Sequence, residues 1–220
     1  MKILVTGGSG GIGSAIKNQL ISEGHEVVAP TSSELDLADL DAVELWISNN
    51  SNLYIGGLVL SAGINSPKAF LEISDSDFAR TFDVNMKSSR MLIQAFLPTM
   101  VKHKVGRIVA VSSAYANLAR IDRSSYSISK AALEALIRSI AVEHANTNII
   151  ANVVVPGFIS TPLTQKNNSQ TQIHKLLERI PIGRLGTPLE VAQLVSFLLS
   201  EKNTYITGQS IAIDGGFSIN

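Results

Sequence analysis

Lys2-Ile3-Leu4-Val5-Thr6-Gly7-Gly8-Ser9-Gly10-Gly11-Ile12-Gly13 opens the chain with a short apolar run that breaks on glycine, then passes into a helical pattern through Ala15, Ile16 and Leu20. Strand, glycine turn and helix in that order form the context in which a glycine motif cradles a phosphate. Glycine lets the backbone approach a pyrophosphate closely, and a helix N-terminus presents unpaired N–H groups and a favourable dipole. The same residues also fit a tight strand-to-helix turn that binds nothing. No Gly-Lys-Ser/Thr ending follows, which argues against a nucleoside-triphosphate loop.

Outward from this stretch, apolar runs alternate with helical patterns. The runs predict strands over Ile3 to Val5, Glu26 to Ala29, Gly57 to Ser61, Arg107 to Ser112, Ile149 to Val155 and Ser210 to Ile213, with helices near 11–23, 39–48, 77–102, 124–144 and 187–200. Strands that are almost wholly apolar, separated by helices, indicate an α/β fold with a parallel sheet covered on both faces. Ligands of such sheets bind beyond the carboxyl ends of the strands, where Gly7, Ser61, Ser113 and Pro156 fall. With 220 residues, 45% of them hydrophobic, the chain can bury one good core, and a single domain over 1–220 is expected.

Charge is balanced at 18 acidic and 18 basic residues, so nothing electrostatic favours nucleic acid or an anionic membrane as partner. The absence of cysteine excludes disulfides and thiol chemistry. A strand starting at residue 2 leaves no room for a signal peptide, and no apolar run approaches a membrane span, so a cytoplasmic protein is expected.

A second informative stretch is Tyr126-Ser127-Ile128-Ser129-Lys130, inside a helical pattern and downstream of Ser113. Four-residue spacing places phenol and ammonium on one helix face, one turn apart. A free tyrosine titrates near pH 10, and a neighbouring cation favours its phenolate, so the pair reads as an acid/base device with Lys130 lowering the tyrosine pKa. Taken alone it also reads as a half-buried tyrosine beside a solvated lysine.

On these stretches the chain resembles the short-chain dehydrogenase/reductase family over nearly its whole length. Thr6, Gly7, Gly11, Ile12 and Gly13 match its glycine motif. Ser113 lies thirteen residues before Tyr126, where the family has its catalytic serine, and Asn85 matches a further asparagine. Pro156, Gly157 and Thr161 match a Pro-Gly-x-x-x-Thr segment. Arg184 to Ala192 and Ile206 to Gly216 look like the variety that includes 3-oxoacyl carrier-protein reductases.

The resemblance implies a Rossmann-type doubly wound sheet, with a cofactor half over about 1–112, a catalytic and substrate half over about 113–220, and a lid over about 158–182. It implies an NAD(P)H-dependent carbonyl reductase with Asn85, Ser113, Tyr126 and Lys130 as catalytic residues, Asn85 holding a water that passes protons to Lys130. Cofactor contacts are implied at Gly7, Ser9, Gly11, Ile12 and Gly13, at Asp36 and Leu37, at Ser61, Ala62 and Gly63, at Tyr126 and Lys130, and at Pro156, Gly157, Ile159 and Thr161. Thr31 and Ser32, with Ser33, end the second strand. Hydroxyls there do not repel a phosphate, which favours NADP(H) over NAD(H).

Two departures from the family stand out. Pro30 to Leu35 are too few for the usual helix and strand, so the third strand is expected to be a stub or an edge and the adenosine pocket open. Ser61 replaces an asparagine that braces neighbouring strands. Ile64, Asn65, Ala114, Tyr115, Asn117 and Phe158 are candidate substrate contacts. The substrate is then a ketone: a 3-oxoacyl thioester, whose acidic carrier would meet Lys102, Lys104 and Arg107, or a keto sugar or other polar ketone. A non-catalytic NAD(P) sensor and a flavin-binding reductase are the readings from other classes. A homodimer or homotetramer is implied, pairing through the two long helices, which carry apolar residues such as Met91, Phe96, Leu133, Leu136 and Ile140 on more than one face and so need a partner besides the sheet, and through the last strand around Ile211.

Overall fold

Ile3 and Val5 point to one side of the first strand and Leu4 to the other, and all three are fully buried. Such a strand needs cover on both faces. The computed structural model, which describes residues 1–220, shows how it is supplied. The strands β1 (Lys2–Thr6), β2 (Glu26–Val28), β3 (Gly57–Leu60), β4 (Gly106–Val111), β5 (Ile149–Pro156) and β6 (Ser210–Ile213) form one parallel sheet in the order β2-β1-β3-β4-β5-β6. Between them run α1 (Gly11–Ser22), α2 (Leu40–Asn49), α3 (Asp75–Phe82), α4 (Ser88–His103), α5 (Ser124–His144), α6 (Pro162–Lys166), α7 (Gln170–Leu177) and α8 (Pro188–Leu199).

On one face, Ile16 and Leu20 of α1 and Val191 and Val195 of α8 pack on Ile3, Val5, Val59 and Val109. On the other, Leu92 and Phe96 of α4 and Leu133 and Ile137 of α5 cover Leu4, Leu58, Leu60 and Ile108, with Trp46 of α2 edge-on to Phe96. This is the doubly wound arrangement the apolar runs predict. Truncating a wholly buried residue such as Leu58 to alanine costs about 2–5 kcal/mol.

Two expectations change. No strand forms between β2 and α2: residues 31–39 make turns, Asp39 caps α2 through Asp41 N–H and Ala42 N–H, and the three-residue β2 is itself the sheet edge. The connector is too short to return a chain to the sheet plane. The single helix over 77–102 is instead α3, a π turn over Asp83–Lys87 and α4. Ser74 and Asp77 close a capping box that starts α3 at Asp75, two residues before the predicted start. The apolar residues of the two long helices do divide between faces: Phe96 and Leu133 meet the sheet, and Met91, Leu136 and Ile140 stay partly exposed.

Candidate functional site

Strand order reverses between β1 and β3, so a crevice opens between their carboxyl ends. It holds a cleft of about 620 Å³ lined by Gly7, Ser9, Gly11, Ile12, Gly13, Ser32, Asp36, Leu37, Ser61, Ala62, Gly63 and Thr161, all residues the sequence assigns to the cofactor. Backbone makes this cradle. Gly7 has φ 70°, in the left-handed region, and a Cβ on Gly13 would lie 2.1 Å from the Gly7 carbonyl oxygen. No side chain caps α1, so its first N–H groups stay free for an anion. A pyrophosphate fits there. Thr6 takes over the bracing that an asparagine at 61 would give: its Oγ1 accepts from Ser61 N–H and Ala62 N–H at 3.1 and 3.2 Å and donates to Val59 O at 3.4 Å.

Thr31 does not line the cleft. Its N–H and hydroxyl both donate to the Glu34 carboxylate, at 2.8 and 2.9 Å. Sequence reasoning missed Leu35 and Val84 in the cleft wall and two cations at its rim, Arg80 and Lys166. Only Val84 sits in a matched stretch, beside Asn85; the switch point brings the others together.

A smaller cavity of about 120 Å³ adjoins the cleft, sharing Ile12, Thr161 and Leu163 with it. It is lined by Ser113, Tyr126, Pro156, Gly157 and Ile159 of the expected set. Burial pushes the Tyr126 phenol up, with Ser113 pulling in the opposite direction. This corrects the expected lowering by Lys130, whose Nζ is 6.0 Å from the Tyr126 ring centre and donates instead to Val111 O at 2.8 Å. Burial also brings Lys130 down to about 8, opposed by the Glu134 charge one turn on.

Asn85 is wholly buried on the π turn. Its Oδ1 accepts from Ile64 N–H at 2.8 Å, and its amide donates to Ile64 O at 3.0 Å and to Ser129 Oγ at 2.9 Å. Ser129 in turn donates to Tyr126 O at 2.7 Å. Both amide hydrogens are therefore spent on protein atoms, and Asn85 braces the Tyr-x-x-x-Lys stretch against the segment that follows β3. Glu134, which the sequence reading missed, accepts from Ser112 Oγ at 2.7 Å and Ser210 Oγ at 2.8 Å, tying α5 to β4 and β6 beside Ser113. Its signal was a carboxylate on the sheet-facing stripe of Leu133 and Ile137.

Among the other implied contacts, Thr161 Oγ1 accepts from Thr164 N–H as the cap of α6, and its methyl packs over Gly11. Asn65, Tyr115 and Phe158 line the smaller cavity and Ile64 the larger one. Ala114 is buried against Ile180 and Phe217, and Asn117 lines neither cavity. Arg107 is turned onto its own strand end, donating to Gly106 O and Asn148 O at 3.0 and 3.2 Å. Residues 158–182 contain α6 and α7, and Asn167 Nδ2 donates across the cavity to Asn65 O at 3.3 Å.

Comparison with known proteins agrees with this geometry. The family described as Enoyl-(Acyl carrier protein) reductase matches residues 18–218. The 3-oxoacyl-[acyl-carrier-protein] reductase FabG of Rickettsia conorii is 35% identical over 97% of this chain and 95% of its own length. MabA of Mycobacterium tuberculosis, another 3-oxoacyl-[acyl-carrier-protein] reductase, is 34% identical over 99% of this chain and 92% of its own. Among solved structures, one described as an NAD(P)-dependent gluconate 5-dehydrogenase from Beutenbergia cavernae with bound NADP superposes with a TM-score of 0.94 at 28% identity, covering 100% of this chain and 97% of that one.

Proposed function

Because this chain belongs to the short-chain dehydrogenase/reductase family and is an NAD(P)-dependent oxidoreductase that reduces ketones, we propose that Ser113, Tyr126 and Lys130 act on the carbonyl of a small polar ketone held in the 120 Å³ cavity. Bound in the glycine cradle, NAD(P)H supplies a hydride to the carbonyl carbon. Ser113 hydroxyl bonds the carbonyl oxygen and stabilises its developing charge. Tyr126 gives that oxygen a proton, and a phenol held protonated by burial is ready to do so. Lys130 would hold a ribose hydroxyl of the bound cofactor and would pass a proton taken up from solvent back to Tyr126, while Asn85 holds the stretch that carries both residues through Ser129.

The observation that carries this reading is the meeting of Ser113 and Tyr126 in a cavity that shares its wall with the glycine cradle. The 3-oxoacyl thioesters named for the curated relatives and the sugar acid named for the structural neighbour are both ketone/alcohol pairs. Asn65, Asn167, Asn168 and two arginines favour the smaller, more polar substrate. We further propose NADP(H) as the preferred cofactor through Ser32, with Glu34 in the same turn keeping that preference modest. A homodimer through α4 and α5 would cover Met91, Leu136 and Ile140 together with Ile128 and Val142, 46% and 82% exposed. No helix is long and apolar enough to cross a membrane, and with no cysteine in the chain a cytoplasmic site of action is proposed.

The test is oxidation of NADPH and NADH against acetoacetyl thioesters, small diketones, keto sugars and keto acids, with Tyr126→Phe as control. Tyrosine-dependent turnover of any of them supports the reading; turnover retained in the mutant ends it. Light scattering at working concentration that finds a monomer removes the dimer.

A further inference from the structure

Arginine needs a counter-charge when water is taken from it. A guanidinium carries five donors and cannot shed its proton in a protein, so burying one without a carboxylate is costly. Arg123, which is buried, and Arg120, which is half-buried, stand in the wall of the cavity beside Tyr126. Arg120 and Arg123 come from the single connection between Ser113 and α5, and both line the cavity that holds Ser113 and Tyr126.

Arg123 is only 6% exposed, and its Nε is buried with no partner. Its one hydrogen bond runs to the carbonyl of the preceding residue, Asp122, at 3.1 Å. Asp122 adopts a left-handed φ of 62°, and its carbonyl is also held by Lys68 N–H at 3.1 Å, a turn that sends the following side chain inward. Arg120 is fixed more firmly still. Its guanidinium donates to the Tyr115 hydroxyl at 2.9 Å and to Asn168 Oδ1 at 3.1 Å, and it lies 5.3 and 5.7 Å from the ring centres of Tyr115 and Phe158.

No carboxylate forms an ion pair with either arginine. The two cations repel, and the Arg123 pKa is lowered by burial and then by Arg120. In the wall of the same cavity Asn65 Oδ1 is buried without a donor. The cavity thus presents an unsatisfied positive pair and an unsatisfied amide to whatever sits on Tyr126.

On the reading of the site as a ketone reductase, we propose that Arg120 and Arg123 form a carboxylate subsite and that the substrate is a short oxo acid, in the reverse direction a hydroxy acid, with a further hydroxyl that reaches Asn65. Space limits the ligand. The cavity is small, about 120 Å³, and Pro156, Gly157, Ile159 and Thr161, the residues assigned to the cofactor, line it too, so the substrate takes only part of it. A 3-oxoacyl thioester would place its neutral acyl end against two unpaired cations, which is the arrangement this pocket is built to disfavour.

The experiment compares short oxo acids with their methyl esters as substrates of the full-length protein with NADPH. In parallel, calorimetry follows binding of malonate and of inorganic phosphate to the NADP⁺ complex. The wild type should prefer the acid by about 10–100-fold in kcat/KM, the size of one or two charge-assisted hydrogen bonds, and should bind malonate more tightly than phosphate. Arg123→Gln should collapse the acid-to-ester ratio and weaken malonate, while Arg123→Lys should restore part of both. Equal use of acid and ester by the wild type, or a ratio unchanged in Arg123→Gln with an unaltered melting temperature, overturns the subsite, as does phosphate binding tighter than malonate. Ester reduction that depends on Tyr126 tests the underlying reductase separately: if no ketone is turned over, loss of malonate in Arg123→Gln still supports the subsite, and retention overturns it.

Discussion

The glycine cradle and the arginine-lined cavity are neighbours that share Ile12, Thr161 and Leu163, yet they are built on opposite terms. The cradle is backbone: Gly7 at positive φ, Gly13 against the Gly7 carbonyl, and the uncapped start of α1. The cavity is side chain: Arg120 on Tyr115 and Phe158, Arg123 turned in by Asp122, Asn167 reaching to Asn65 O. A backbone site accepts one kind of ligand group and admits little variation, whereas a side-chain site can be respecified by a few substitutions. The fold therefore holds the cofactor constant while the loops choose the substrate.

Replacing the acid tests the comparison most severely. Tyr126→Phe should lower kcat by about 10³-fold while cofactor affinity, measured by fluorescence titration, and the melting temperature stay near wild type. On the backbone side, Gly13→Ala should weaken NADPH at least tenfold and lower the melting temperature, because an added Cβ at 2.1 Å from the Gly7 oxygen forces the loop apart. A mutant that bound NADPH normally would show the cradle to be less rigid than its geometry requires.

Titration sharpens the contrast. Lys130 in the fold lies at about 8, below its ordinary 10.5. Between those values the unfolded chain binds the extra proton, so stability of the cofactor-free protein should rise with pH there. Burial of Tyr126 works the other way above its ordinary value of 10.0, so the gain is read between about pH 8 and 10. Denaturant midpoints across that range should climb in the wild type and stay flatter in Lys130→Met. The smallest effect is expected at the edge of the cradle: Glu34→Gln removes the carboxylate beside Thr31 and should raise the NADPH-to-NADH ratio of kcat/KM several-fold.

What the sequence discloses follows the same division. The order of strand, glycine turn and helix, and the Tyr126–Lys130 spacing, are local relations; the structure puts the glycine turn in the larger cleft and Tyr126 in the adjoining cavity, with Lys130 buried beside Gly63. Arg120 and Arg123 stand in no motif. Their meaning depends on which carboxylates are absent around them, a fact of the assembled fold. Glu134 was hidden for a like reason, since its partners Ser112 and Ser210 are 22 and 76 residues away. The missing third strand was half legible: the shortness of 30–35 shows, but only pairing tells that β2 ends the sheet.

The π turn at Asp83–Lys87 has a consequence for insertions and deletions. A π turn accommodates one more residue than α winding, so everything beyond it is out of phase by about 100°, the angle per residue of an α-helix. The stripe of Leu92, Ile93, Phe96 and Met100 meets the sheet in the phase that follows this offset. Removing one residue between 83 and 87 would let the rod wind evenly and would rotate the stripe away from Leu58 and Ile108. The winding defect that aims Asn85 at Ile64 and Ser129 is thus the same one that keeps α4 on the core, so this segment tolerates substitution more readily than any change in length.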